Sequence, residues 1–139
     1  MKPATREWVA KVEEDYLAAL DLSRRRKVPL WSSVCFHAQQ SAEKYLKARL
    51  QEAGLRIPKT HDLEVVLNLL LGIEPLWLAL TPASQRLTDF AVDFRYPGHD
   101  AQKSTCARSV KGCQNHPSGS SHFSRAASLK GWRAAHLGL

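Results

Sequence analysis

The sequence predicts an all-α fold, an up-down antiparallel helical bundle of four to five helices. Three observations predict it. Apolar residues recur every three or four positions through most of the first 94 residues. No segment alternates with period two over a useful length. Pro29, Gly54, Pro58 and Gly72 punctuate the chain at helix-sized intervals. The 139 residues suffice for one domain with a real core and are too few for two ordinary ones.

The first helix is expected from about Thr5 to Arg26. Trp8, Val12, Tyr16 and Leu20 would form its apolar stripe. The closing "RRRK" would complement the negative end of the helix dipole, at about 0.3–1 kcal/mol per cation at best. Pro29 then interrupts. The second helix is expected from about Leu30 to Ala53. Its buried face comprises Val34, Cys35, Ala38, Ala42, Tyr45, Leu46 and Leu50. Ala38 and Ala42 are small and let a neighbouring helix approach. Glu43 and Lys47 stand four apart in the favourable order, as a helix-surface ion pair would. Gly54 is a natural stop.

Pro58 forbids a continuous helix. Thr60 is expected to cap the third, with Asp62 and Glu64 in its positive first turn. Leu63, Val66, Leu67 and Leu70 would pack inward, and Gly72 would end it. "IEPLWLAL" reads as a greasy connector whose Trp77 and Leu80 plug one end of the bundle. Thr81 and Pro82 read as N-cap and first helical residue of a fourth helix. That helix presents Leu87, Phe90, Ala91 and Phe94 on one face and stops at "RYPG". A short fifth helix would run through Ala107, Val110 and Cys113.

Residues 1–115 are therefore assigned to the bundle. Residues 116–139 form an atypical basic, Ser-rich tail, expected to be poorly ordered. Charge divides the chain in a similar way. The first 100 residues carry 14 Lys and Arg against 13 Asp and Glu; the last 39 carry six cations and no acid. The net charge of +7 thus does not mark a phosphate-neutralising face on the bundle. The longest apolar run, "VVLNLLLGI", falls far short of the ~20 residues of a membrane span. No N-terminal stretch resembles a secretory signal, and three cysteines are no disulfide framework. A cytoplasmic protein without membrane contact is expected.

Three segments occur in order at helix-sized intervals: "CFHAQQSAEKYLKARL" (35–50), "KTHDLEVVLNLL" (59–70) and "AVDFRYPG" (91–98). Together they resemble the HEPN family, small helical-bundle proteins of prokaryotes often encoded beside a minimal nucleotidyltransferase. The resemblance covers roughly residues 5 to 115. It implies an up-down bundle that commonly forms homodimers. It also implies RNA-cleaving toxins, nucleotide binders or nucleotidyltransferase partners as function classes. The function expected is a nucleotide- or RNA-binding partner of a minimal nucleotidyltransferase in a toxin–antitoxin-like pair, non-catalytic or atypical. The alternatives are a metal-independent RNase toxin using Arg95 and His99, and a structural homodimer without ligand. No cofactor is expected.

The ribonuclease branch of that family is marked by an Arg, four to six intervening residues, then a His. Metal-free RNA cleavage needs an imidazole to move protons and a fixed cation against the charge developing on phosphorus. Here only three residues separate Arg95 from His99, and Pro97 and Gly98 are two of them. Arg95 also suits a structural role, as a cation closing a helix C-terminus. Arg56 and His61 have the family spacing. With 11 Arg and 6 His in the chain, however, about 1.4 such matches arise by chance.

His37, Gln40, Ser41 and Lys44 fall at i, i+3, i+4 and i+7, on one helix face. Amides and a hydroxyl suit a polar groove or a dimer seam; a half-exposed helix surface is the plain alternative. With Tyr96 in the turn, these residues are the candidate nucleotide or RNA contacts. "THDL" reads first as helix initiation. Cys106, Cys113, His116 and His122 are ligand types for zinc. Six residues lie between the two cysteines, against the two to four of zinc motifs, so no metal site is assigned.

Overall fold

Four α-helices and one 3₁₀ helix follow one another in the computed structural model, which describes residues 1–28, 30–93, 96–98 and 102, without the side chains of 90–93. They are α1 (Pro3–Ser23), α2 (Trp31–Ala53), α3 (Leu63–Leu70), the 3₁₀ helix Pro75–Leu80, and α4 (Thr81–Asp93). There is no strand among the described residues, and the all-α bundle stands.

α1 ends three residues earlier than its sequence suggests. The Ser23 hydroxyl donates to the Leu20 carbonyl at 2.7 Å, and the Arg24 N–H reaches the carbonyls of Leu20 and Asp21. These bonds close the last turn, so Arg24 is the C-cap and the rest of "RRRK" follows the helix instead of forming its last turn. The inward stripe also differs. Thr5, Val9, Val12, Tyr16 and Ala19 are buried, while Trp8 and Leu20 are half-buried. A strict four-residue repeat drifts about 40° per step around a helix of 3.6 residues per turn, so its ends slide off the core.

α2 is the central element. From Val34 to Leu50 it has no exposed residue. α1 packs antiparallel on one side: Ser41 meets Val12, and Glu52 meets the start of α1 through the Lys2 N–H at 3.0 Å. That bond holds the Glu52 carboxyl below the usual carboxylate range. A depressed carboxyl adds stability above the unfolded value, and the contribution is lost as pH falls through the folded one.

Gly54 ends α2 at φ 73°, with the Leu55 N–H bonded to the Leu50 carbonyl at 2.9 Å. A Cβ here would meet only Lys2 Nζ, at 3.6 Å. Gly54→Ala should therefore cost about 1 kcal/mol from backbone strain alone. Urea unfolding would read this as a lower midpoint at unchanged slope; an unchanged midpoint would contradict the left-handed cap.

The connection after Gly54 runs back along α2. Lys47 holds the Thr60 carbonyl at 2.8 Å and Gln39 holds that of His61 at 3.0 Å. The cap of α3 is Asp62, not Thr60. The Asp62 carboxylate accepts from the N–H of Glu64 at 2.9 Å and of Val65 at 3.4 Å. Thr60 instead accepts from the Asp62 N–H through its hydroxyl at 3.1 Å, shaping the loop before the cap. α3 advances alongside α2 until Glu74 meets Arg49 at 2.9 Å. α4 then returns antiparallel to α3. The Thr88 hydroxyl accepts from the Leu63 N–H at 3.2 Å, and Gln85 reaches Glu64 at 3.1 Å.

"PLWLAL" is a 3₁₀ helix that feeds directly into α4. Thr81 has helical φ/ψ of −54° and −49°, so it is not a non-helical cap. Trp77 plugs the core as expected and stacks on Tyr45, ring centroids 5.9 Å apart. Burial there pushes the Tyr45 phenol well above its ordinary range, and the nearby Glu74 charge adds to the effect. One core unites Val12, Tyr16, Leu46, Leu50, Leu63, Leu67, Leu70, Trp77 and Leu87. Ala19, Val34 and Cys35 form a smaller cluster near the α1–α2 connection. The side chains of Phe90 and Ala91 are not described, and Phe94, the expected fifth helix through Ala107, Val110 and Cys113 and the 116–139 tail lie outside the described residues. No described helix is long and apolar enough to cross a membrane.

Candidate functional site

Asp15 of α1 lies beside the buried Tyr16 and faces α2. Its Oδ1 is 2.9 Å from His37 Nδ1, and its Oδ2 is 2.5 Å from Lys44 Nζ. His37 and Lys44 are seven residues apart, two turns along one face, so a single carboxylate spans both. The imidazole and the ammonium keep 30% and 25% of their side chains exposed, while Asp15 keeps 12%. Phe36 stands edge-on to the His37 ring, centroids 5.3 Å apart. Gln40 is half-buried between them and donates to Gln39 Oε1 at 2.8 Å. Ser41 turns away from this edge. Buried, its hydroxyl donates to the Val12 carbonyl at 3.2 Å and fastens α1 to α2.

A second polar cluster flanks the same helix. Glu43 and Lys47 are only 5% and 8% exposed, with Lys47 Nζ 2.7 Å from Glu43 Oε1. Gln39 Nε2 donates to Glu43 Oε2 at 3.3 Å. His61 Nδ1 lies 3.2 and 3.1 Å from the two Glu43 oxygens. The i, i+4 pair that reads as a surface bridge is thus a buried one under the 60–61 loop. The signal available in the sequence is Gln39 and Glu43 at the edge of the apolar face of α2.

The HEPN domain family matches residues 5–115. That span is most of the chain. The protein belongs to the HEPN domain family. No curated protein and no solved structure is significantly similar to it.

In this HEPN chain the structure brings His37 and Lys44 together on Asp15, with Gln40 beside them. It places Ser41 at the interior α1–α2 contact. Arg95 and His99 lie outside the described residues. Between them, Tyr96, Pro97 and Gly98 are exposed, Tyr96 to 67%. Gly98 has φ 95°, a backbone that glycine adopts without strain. Among the described residues no group of three or more His, Cys, Asp or Glu is arranged to hold a metal ion. Cys106, Cys113, His116 and His122 lie outside them.

Proposed function

We propose that this HEPN chain is a nucleotide- or RNA-binding partner of a minimal nucleotidyltransferase, in a toxin–antitoxin-like pair, and that it binds without cutting. The observation that carries the reading is the Asp15–His37–Lys44 edge of α2. On a helix with no exposed residue between Val34 and Leu50, His37 and Lys44 stay partly open to solvent, and the buried Asp15 carboxylate of α1 fixes both in place. Donors held this way lose little entropy when a phosphate or base meets them. Tyr96 offers an exposed aromatic face for stacking. The three-residue interval from Arg95 to His99, with its Pro-Gly turn, favours binding over cleavage. The homodimer and the nucleotidyltransferase partner follow from the habits of the family.

Fluorescence anisotropy with labelled nucleotides and short single-stranded RNA tests the reading on the full chain. His37→Ala and Lys44→Ala should each weaken binding about tenfold, the effect of one charge-assisted hydrogen bond. No binding to wild type would refute it. RNA cleavage abolished by Arg95→Ala would put the toxin reading in its place.

A further inference from the structure

No residue of the α1–α2 connection contributes to the Asp15 edge. At that tip Arg24, Arg25, Arg26, Lys27 and Val28 are all exposed. None of the four cationic side chains has a hydrogen bond or an ion pair among the described residues. Val28 is 69% exposed at φ 47°, a left-handed backbone that strains a β-branched residue, and Leu30 is 36% exposed. Behind them Trp31 packs on the cluster of Ala19, Val34 and Cys35 and ties the tip to the bundle. Two open aliphatic side chains thus stand beside four charges whose long stems nothing described holds in one geometry.

The charge is local. Without those four cations the first 100 residues hold ten Lys and Arg against 13 Asp and Glu, and the last 39 residues hold no acid to neutralise the tip. A second copy offers no concentrated acidic face on α1. Glu14 is already paired with Lys11 at 2.7 Å, and Glu7 and Asp21 stand about 21 Å apart along the axis. The complement is an external anion. With an acidic protein, each exposed ion pair would contribute little. RNA would meet the cations, but the tip has no exposed aromatic ring to stack a base, and Val28 and Leu30 would stay in water. An anionic bilayer suits both features. Its surface potential acts on all four charges without asking for a fixed geometry, and its interfacial layer takes up the aliphatic side chains. The expectation of no membrane contact rests on the lack of a span, which a peripheral contact does not need.

We propose that the α1–α2 tip docks peripherally on an anionic phospholipid surface, with residues 24–27 at the headgroups and Val28 and Leu30 inserted beneath them. The contact is independent of nucleotide binding. Sedimentation of the full chain with vesicles tests it. The chain should bind vesicles of equal parts phosphatidylglycerol and phosphatidylcholine and ignore pure phosphatidylcholine. Arg25→Gln combined with Arg26→Gln should weaken that binding about 25-fold, about fivefold for each charge. Val28→Ser combined with Leu30→Ser should leave the charge intact and still weaken it about tenfold. All four positions are exposed, so the thermal transition of each variant should match that of wild type. Binding that neither pair changes assigns the vesicle contact to the basic C-terminal residues and overturns the proposal. An effect of one pair alone makes the contact purely electrostatic or purely apolar and overturns it too. Failure to bind the anionic vesicles overturns it outright; if the arginine pair then weakens binding to short single-stranded RNA, the tip belongs to a nucleic-acid contact instead.

Discussion

Glu43→Ala should destabilise the protein by about 3–5 kcal/mol, the cost of removing one partner of a buried ion pair. The substitution leaves the Lys47 ammonium, 8% exposed, with only the Thr60 carbonyl among its described partners. It also strips Gln39 and His61 of their shared acceptor. The penalty comes from the charge left behind rather than from the lost attraction. Replacing both Glu43 and Lys47 with Met should therefore recover much of the loss. Chemical denaturation of wild type, single and double variants reads both effects. A single-variant cost below about 1 kcal/mol would mean that Lys47 finds water, as a surface pair would.

Leu67→Ala should be comparably damaging, at about 2–5 kcal/mol, whereas Leu69→Ala should cost little. Leu67 is 0% exposed and sits in the main core beside Leu46 and Leu63. Leu69, two positions on, is 48% exposed on the outer face of α3. Truncating Leu67 opens a cavity between α2, α3 and α4 that close-packed neighbours fill only in part. Equal effects at the two positions, measured by thermal or urea unfolding, would be incompatible with the face α3 presents to the core.

The comparison between these two leucines also marks how far sequence patterning reaches. "LEVVLNLLL" assigns Leu63, Val66, Leu67 and Leu70 to the core because the helical period selects them, and all four are fully buried. The same local logic places His37, Gln40, Ser41 and Lys44 on one face. It does not reveal that Ser41 is turned onto α1 while His37 and Lys44 share Asp15. Asp15 is 22 and 29 residues away from them in sequence, and no periodicity links such distances. His61 and Glu43, 18 residues apart, escape notice for the same reason. Each has a sufficient local explanation, as helix initiator and as i, i+4 partner.

The sequence by itself determined the helical class, the interior of α2 and α3, the stop at Gly54 and the resemblance that the family match over residues 5–115 supports. These depend on periodicity and on single-residue conformational preference, which act within a few positions. Only the tertiary structure decided where α1 ends, that Asp62 caps α3, and which polar side chains meet across helices. Whether a polar group faces solvent, a carbonyl or a buried carboxylate depends on desolvation and hydrogen-bond geometry between distant segments. Those energies exist only once the helices are packed.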